Sequence, residues 1–215
     1  MANGRPTGRT SVLAIRHGES EWNAVGRWQG QADPPLTDAG MLQAVAAAKA
    51  LGTFDGIYAS SLQRAADTAA IIAESIGVGP VQLLDDLMEN AFGPWQGLTI
   101  HEIEEQWPGY LAAHRRPEGA EPTAAVLTRG LHALRTIAAE HPGQQVLVVT
   151  HAGLLRTLPR ELLVNNGRRL KAGDDQASLR FANLGGCWFH VFEDGAVEVG
   201  EAVSLIDPQA FGDTL

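Results

Sequence analysis

One segment governs the interpretation of this 215-residue sequence: Leu13-Ala14-Ile15-Arg16-His17-Gly18-Glu19-Ser20-Glu21-Trp22-Asn23. The apolar run at residues 12–15 predicts a short buried strand that ends at a histidine and a glycine turn. In α/β proteins, ligands bind at the carboxyl ends of parallel strands. There the ring nitrogen of His17, the planar donors of Arg16 and the amide of Asn23 suit a phosphate group. The segment therefore predicts a nucleophile inside an anion pocket.

Two later segments repeat the pattern of a strand followed by a polar group and a helix. Residues 56–59 predict a second strand, and the helix expected to follow, capped at Ser60-Ser61, carries Arg64 in its first turn. The amino terminus of a helix favours anions through its free N–H groups and its dipole, and Arg64 adds positive charge there. Residues 146–149 predict a fully apolar central strand that ends at His151. His151 is thus expected to supply a second histidine donor to the pocket.

Three acidic residues follow the strand predicted at residues 81–84: Asp85, Asp86 and Glu89. A carboxyl group near a phosphoryl site can protonate the leaving oxygen. Because the three acids lie close together, their spacing alone does not choose between them.

The composition restricts the class of protein. A chain of 215 residues, 45% of them hydrophobic, is long enough for one domain with a full core. The formal net charge of −9 argues against non-specific binding to nucleic acid or to a membrane. Cys187 is the single cysteine, so no intramolecular disulfide can form and a reducing compartment is expected. These features predict a cytoplasmic protein, and the anion pocket predicts a small phosphorylated metabolite as its partner.

The order of the predicted elements favours an α/β fold, a three-layer α/β/α sandwich with a mostly parallel central sheet. We expect the domain to span residues 11–207, between a mobile tail at residues 1–10 and a C-terminal tail at residues 208–215. A helix predicted at residues 38–51 is expected to pack on the sheet through a face that holds Leu42 and Val45. A hairpin closes the fold near residues 187–199, with Asn183 expected near the rim of the pocket.

Four separate segments together resemble the histidine phosphatase superfamily, which includes cofactor-dependent phosphoglycerate mutases and many small phosphatases. The similarity covers roughly residues 12–203. Its motifs are Arg16 to Asn23 followed by Gly26-Arg27-Trp28-Gln29-Gly30, then Ser60 to Ala65 with Thr68-Ala69, then Leu87-Met88-Glu89 with Phe92-Gly93, Trp95 and Gly97, and finally Thr150-His151-Ala152-Gly153. The resemblance implies a phosphoglycerate mutase-like fold.

The resemblance also implies a role for each matched residue. His17 is implied to be the nucleophile that carries the phosphoryl group, and Glu89 the acid that protonates the leaving oxygen and then deprotonates water. The residues implied to be catalytic are His17, Glu89, Arg16, Arg64 and His151. The residues expected to bind the substrate are Arg16, Asn23, Gln29, Gly30, Arg64, His151 and Ala152. No metal site is expected because the sequence holds no cluster of metal ligands. No cofactor is expected either, except 2,3-bisphosphoglycerate if the chain is a mutase.

Three functions fit this pattern. The stretch between Gly97 and Pro117 is short, which favours a phosphatase, since mutase relatives carry a longer lid that excludes water. Arg115 and Arg116 in this lid favour a mutase modestly, because mutases hold two negative groups; a solvated pair of arginines is the alternative. A non-catalytic module that binds phosphorylated ligands is the third function, and the filled catalytic positions argue against it. A homodimer is compatible with all three.

Overall fold

The computed structural model describes residues 8–165 and 181–207. Its strands are β1 (Arg9–Arg16), β2 (Gly56–Ser60), β3 (Gln82–Leu84), β4 (Gln145–Thr150), β5 (Gly185–Phe192) and β6 (Val197–Ser204). Its helices are α1 (Glu21–Ala24), α2 (Asp38–Ala50), α3 (Gln63–Ile76), α4 (Ile100–Gln106), α5 (Thr123–Glu140) and α6 (Ala152–Asn165). Short 3₁₀ turns lie at Asp85–Leu87 and Gly93–Trp95.

The strands form a six-stranded sheet in the order β3-β2-β4-β1-β5-β6. The first four strands of this order are parallel to one another, and β5 is antiparallel to both β1 and β6. The strands β5 and β6 form the predicted final hairpin. The mostly parallel sheet predicted from the sequence is therefore confirmed.

The two central strands are buried on both faces because helices cover the sheet on both sides. Residues 146–149 of β4 have no exposed surface, as their continuous apolar run predicts. Helices α2 and α3 pack on the face of β1 that presents Leu13 and Ile15. Helices α5 and α6 pack on the opposite face, which presents Val12 and Ala14. This arrangement is the three-layer sandwich that the order of elements predicts.

Cys187 lies in the core, with 2% of its surface exposed. Burial raises the pKa of its thiol to about 12. The thiol is therefore protonated at neutral pH, as befits a structural cysteine.

The prediction for the packed face of α2 is wrong. Leu42 and Val45 are 61% and 41% exposed, and the buried positions of the helix are Gly40, Gln43, Ala44, Ala47 and Ala48. The backbone explains the reversal, because α2 approaches the loop after β1 closely. A Cβ atom on Gly40 would overlap the carbonyl group of Glu19. Small side chains allow this approach, so the larger apolar residues face outward.

The start of α3 also differs from the prediction. The helix begins at Gln63, and the Ser60 hydroxyl accepts a hydrogen bond from the Leu62 amide at 3.2 Å. Ser61 donates instead to Asp85, at the end of β3. Arg64 nevertheless lies in the first turn of α3, where the sequence places it.

The ends of the predicted domain are only partly described. The strand β1 begins at Arg9, within the segment predicted to be a mobile tail. Residues 1–7 and the predicted tail at residues 208–215 lie outside the described residues. Within the described part of the chain, no helix is both long enough and apolar enough to cross a membrane.

We expect substitutions on the buried face of α2 to lower the stability of the protein and substitutions on its exposed face to leave it nearly unchanged. Ala47→Leu adds three carbon atoms to a fully buried contact and should lower the free energy of unfolding by about 1–3 kcal/mol. Leu42→Ala removes an exposed side chain and should change it by less than about 0.5 kcal/mol. Urea denaturation followed by circular dichroism measures both values. A larger loss for Leu42→Ala would contradict the observed packing.

Candidate active site

His17 follows the end of β1 and is held there by the backbone. Its amide donates a 3.0 Å hydrogen bond to the carbonyl of Thr150, which locks the ends of β1 and β4 together. The Asn183 side chain, 1% exposed, donates to the His17 carbonyl at 2.7 Å. Asn183 thus binds the backbone of His17, and it is not among the described residues that line the cavity, near whose rim the sequence places it.

The imidazole of His17 presents a defined tautomer to the pocket. Its Nδ1 atom lies 2.6 Å from the carbonyl oxygen of Gly18, which can only accept a hydrogen bond, so Nδ1 carries the proton. Nε2 therefore keeps its lone pair and accepts a 3.3 Å hydrogen bond from Nε of Arg64. Burial, together with the charges of Arg64 and Arg16, holds the pKa of His17 well below its usual value. The ring is neutral and nucleophilic at neutral pH.

Arg64 is fully buried, and the loop after α1 holds its guanidinium in place. Nη1 donates to the carbonyl of Ala32 at 2.7 Å, and Nη2 donates to the carbonyl of Gly30 at 2.9 Å. Gly30 has a φ of 55°, a conformation that glycine adopts at no steric cost. Burial lowers the pKa of Arg64 to about 10, so the side chain stays charged at neutral pH.

The helix that carries Arg64 is tied to the histidine loop through one threonine. The Thr68 hydroxyl donates to the Arg64 carbonyl at 2.6 Å and accepts the Gly18 amide at 3.0 Å. The backbone beside His17 and the backbone of Arg64 are consequently tied together by a side chain one turn along α3. Arg16 donates from Nη1 to the carbonyl of Phe181 at 3.1 Å and lines the same cavity.

His151 follows β4 and lies beside His17, with 5.1 Å between the ring centroids. Its side chain has no exposed surface, and among the described residues neither ring nitrogen has a hydrogen-bond partner. Burial and the charge of Arg64 hold the pKa of His151 well below its usual value, so the ring is neutral. A neutral imidazole has one N–H group, and a bound anion would accept a hydrogen bond from it. The next residue, Ala152, lines the cavity, whereas His151 itself is not among the described residues that line it.

Glu89 is the acid that the structure places at the cavity. It is 7% exposed, and its two carboxylate oxygens accept the amides of Asn90 at 2.7 Å and Gly153 at 3.0 Å. Asp85 accepts a hydrogen bond from Ser61, and Asp86 lies 2.6 Å from Nδ1 of His132. Of these three acids, Glu89 alone is among the cavity-lining residues that the structure describes.

These side chains surround one cavity of about 360 Å³. Most of the predicted site residues line it, namely Arg16, His17, Asn23, Gln29, Gly30, Arg64, Glu89 and Ala152. Asn23 and Gln29 are joined through Ser20, whose hydroxyl lies 3.0 Å from Oδ1 of Asn23 and 2.8 Å from Oε1 of Gln29 and can donate its one proton to either. The Ser20 amide also donates to Oδ1 of Asn23, at 3.2 Å. The amide NH₂ group of Asn23 is thereby oriented as a donor.

Arg156 and Phe181 line the same cavity, and the sequence analysis missed both. Helical spacing could have identified Arg156, because it lies four residues after Ala152 and so shares its face of α6. Phe181 has no such signal.

The lid arginines line a second cavity of about 370 Å³. Trp28, Phe92 and Arg156 line both cavities, so the two adjoin. The guanidinium of Arg115 lies 4.3 Å from the ring centre of Tyr110, and that of Arg116 lies 5.6 Å from the ring centre of Phe92. Both arginines are therefore next to the His17 cavity, not in it.

No metal centre is found in the described ranges, since no group of three or more histidine, cysteine, aspartate or glutamate side chains could hold an ion. Positive charge in the cavity comes from arginines. Arranged around a neutral histidine, these supply the positive charge that stabilises a transferring phosphoryl group.

Comparisons with known proteins agree with this geometry. The model of the histidine phosphatase superfamily (branch 1) matches residues 12–189. The chain is 39% identical over 159 residues to the metal-independent phosphoserine phosphatase of Arabidopsis thaliana, covering 69% of this chain and 67% of that protein. It is 32% identical over 192 residues to the glucosyl-3-phosphoglycerate phosphatase of Mycobacterium tuberculosis, covering 82% and 86%.

A solved structure is similar over nearly the whole chain. It is a mutant phosphoserine phosphatase from Entamoeba histolytica in complex with phosphoserine, with a TM-score of 0.73 and 28% sequence identity. The match covers 91% of this chain and 98% of that one.

Gly153→Ala tests whether activity depends on the position of the Glu89 carboxylate. A Cβ atom at this position would overlap Oε1 of Glu89, the far end of a side chain, so the protein should fold while the carboxylate moves. We expect kcat for an alkyl phosphate to fall about 100-fold, the order of effect of a misplaced catalytic group. Gly52→Ala is the control, because a Cβ atom there meets no atom within 4 Å. Full activity of Gly153→Ala in a steady-state phosphate-release assay would contradict the assignment.

The lowered pKa values of His17 and His151 predict a loss of stability in acid. Below about pH 6.5, the pKa of histidine in the unfolded chain, these two histidines bind protons when the chain is unfolded but not when they are buried in the folded protein. The free energy of unfolding therefore falls as the pH falls. Urea denaturation at pH 7.5 and 5.5, without phosphate, should show a smaller decrease for His151→Gln than for the wild type. His101→Gln, at an exposed position, should behave as the wild type does. Equal decreases for His151→Gln and the wild type would contradict the prediction.

Proposed function

The chain belongs to the histidine phosphatase superfamily, and we propose that it hydrolyses small phosphomonoesters, without a metal ion, through a phosphohistidine on Nε2 of His17. The observation that carries this proposal is the tautomer of His17. With Nδ1 bound to the Gly18 carbonyl, the lone pair of Nε2 faces a charged arginine in a cavity that also holds Glu89. This is the arrangement that in-line attack on phosphorus requires.

In the first step, Nε2 of His17 forms a bond to phosphorus as the bond to the leaving oxygen breaks. Arg64 and Arg16 bind the non-bridging oxygens and stabilise the charge spread over them. The Nε–H group of Arg64 donates to Nε2 in this structure, and it turns its hydrogen bond to a phosphoryl oxygen as that lone pair is used. Glu89 gives a proton to the leaving oxygen, which departs as an alcohol.

In the second step, the carboxylate of Glu89 takes a proton from water. The water oxygen forms a bond to phosphorus while the nitrogen–phosphorus bond breaks, and the electron pair returns to Nε2 of His17. Inorganic phosphate leaves, Glu89 is again protonated, and the starting state is restored.

The arginines that line the adjoining cavity favour a substrate whose leaving group carries a second negative charge. Arg156 lies where the two cavities meet, and Arg115 and Arg116 line the outer one. The substrates named for the relatives, phosphoserine and glucosyl-3-phosphoglycerate, each carry a carboxylate besides the phosphate. We therefore propose small phosphorylated acids as the substrates. Location in the cytoplasm and assembly as a homodimer stay predictions from the sequence.

The decisive experiment separates hydrolysis from its two alternatives. In buffer with EDTA, wild-type protein should release phosphate from phosphoserine or 3-phosphoglycerate and form an acid-labile phosphoenzyme, seen by rapid quench with ³²P-labelled substrate. His17→Ala should lose more than about 1,000-fold of the rate, since no other group is placed to attack phosphorus. His101→Ala, which changes an exposed histidine, should keep full activity.

Two outcomes would overturn the proposal. If 2-phosphoglycerate forms from 3-phosphoglycerate and 2,3-bisphosphoglycerate faster than phosphate is released from any substrate, the chain is a mutase. If the protein binds these compounds without turnover, it is a module that binds phosphorylated ligands.

A further inference from the structure

We propose that Arg129, on α5, is a positioning residue for residues 85–92, the acid segment that carries Glu89. It holds this segment in the position that proton transfer by Glu89 requires. The inference rests on the proposed function, because it assigns Glu89 as the acid and base. Arg129 is not among the described residues that line the cavity of His17. Its charge contributes to the lowered pKa of His151, and its hydrogen bonds reach the segment that carries Glu89.

The guanidinium of Arg129 binds a series of backbone carbonyls in the acid segment. Nη1 donates to the carbonyls of Asp86 at 2.9 Å and Met88 at 2.6 Å, and Nη2 donates to the carbonyl of Glu89 at 3.2 Å. A planar fork of donors can make these bonds at once, whereas a lysine ammonium presents a single point.

Glu121 binds Arg129 from the other side, and the two side chains together form a clamp on the acid segment. Its two carboxylate oxygens accept hydrogen bonds from Nε and Nη2 of Arg129 at 2.8 Å and 3.0 Å, and both side chains are 16% exposed. The backbone of Glu121 donates to the carbonyl of Ala91 at 2.8 Å, and its carboxylate accepts the amide of Ala91 at 3.2 Å. Burial alone would raise the pKa of Glu121, but the hydrogen bond and charge of Arg129 outweigh burial and lower it. The pair is therefore ionised.

The acid segment depends on these bonds because it has little regular structure of its own. After the 3₁₀ turn at Asp85–Leu87, residues 88–92 form neither helix nor strand, and their carbonyls need partners from elsewhere. The hydroxyl of Thr150 satisfies the carbonyl of Leu87 at 2.7 Å, and Arg129 satisfies those on either side of it.

The position of the Glu89 carboxylate follows from the position of this segment. One of its two amide donors, Asn90, belongs to the segment, and the other, Gly153, belongs to α6. If the segment moves relative to α6, the carboxylate cannot keep both bonds. A displacement of about 1 Å at a catalytic group is sufficient to cost about 100-fold in rate.

The kinetic test uses the chemistry of the leaving group. Protonation by Glu89 is needed to expel an alkoxide, and hardly needed to expel dinitrophenolate. The second step uses Glu89 for every substrate, so the test measures the first step alone, as the rate of phosphoenzyme formation in a single turnover followed by rapid quench. Arg129→Ala should lower this rate by about 100-fold for an alkyl phosphate and by less than about fivefold for 2,4-dinitrophenyl phosphate. Glu89→Gln should show the same selectivity. The double variant should lose little more than Glu89→Gln alone, because the two residues act as a unit.

Matched variants separate the clamp from general damage to α5. Arg135→Ala removes another arginine of the same helix, one that donates to the carbonyl of Gly195 at 3.0 Å, and should leave both substrates unaffected. Arg129→Lys and Glu121→Gln, which keep most of the side-chain volume, should show the same selectivity in weaker form. They also keep the test open if Arg129→Ala fails to fold. Equal losses on both substrates would overturn the proposal.

A second measurement does not depend on turnover. Amide hydrogen exchange, followed by NMR, should be at least about tenfold faster at Asn90 and Gly153 in Arg129→Ala, because their bonds to Glu89 are loosened. Arg135→Ala should not change it. Affinity for inorganic phosphate should stay within about twofold, since the anion-binding arginines are not moved. Unchanged exchange overturns the clamp, whereas faster exchange without any phosphoenzyme in the wild type overturns the proposed function alone.

Discussion

The site depends on one contact, the hydrogen bond from the buried guanidinium of Arg64 to the neutral ring of His17. A buried charge is unfavourable unless its donors are satisfied, and here the loop carbonyls of Gly30 and Ala32 satisfy the outer nitrogens. Nε is left for the histidine, whose Nε2 accepts because Nδ1 is committed to the carbonyl of Gly18. Burial and the charges of Arg64 and Arg16 keep the ring unprotonated. A single arrangement therefore leaves the lone pair on Nε2 and places positive charge beside it.

The parallel strands supply the frame that makes this contact reproducible. Arg16 pairs with Thr150 across β1 and β4, and the next amide along, that of His17, is bonded to Thr150 as well. His17 and His151 therefore leave the sheet side by side. Because both strands are buried on both faces, a shift in their register would expose apolar surface, and the two rings cannot drift apart.

The part of the site that holds Glu89 is built differently from the part that holds His17 and His151. His17 and His151 come directly from strand ends, whereas Glu89 stands on a segment without regular structure. Its carboxylate is held by two amides, its backbone by an arginine–glutamate pair, and the space beside it exists because Gly153 has no side chain. The sheet holds His17 and His151 in place, whereas long-range side-chain contacts hold Glu89 in place.

The sequence alone determined what depends on near neighbours along the chain. Apolar runs predicted the strands, and the order of the elements predicted the three layers. Together they placed His17, Arg64 and His151 at the ends of elements. The choice of Glu89 over Asp85 and Asp86 needed the resemblance to a family as well. Only the tertiary structure decided which face of α2 is buried, because that depends on how closely another segment approaches Gly40. It also decided that Arg129 meets the carbonyl of Glu89, forty residues away, and that Arg156 joins two cavities. Local patterns carry the period of a helix or strand, but they carry no record of which distant backbone lies opposite it.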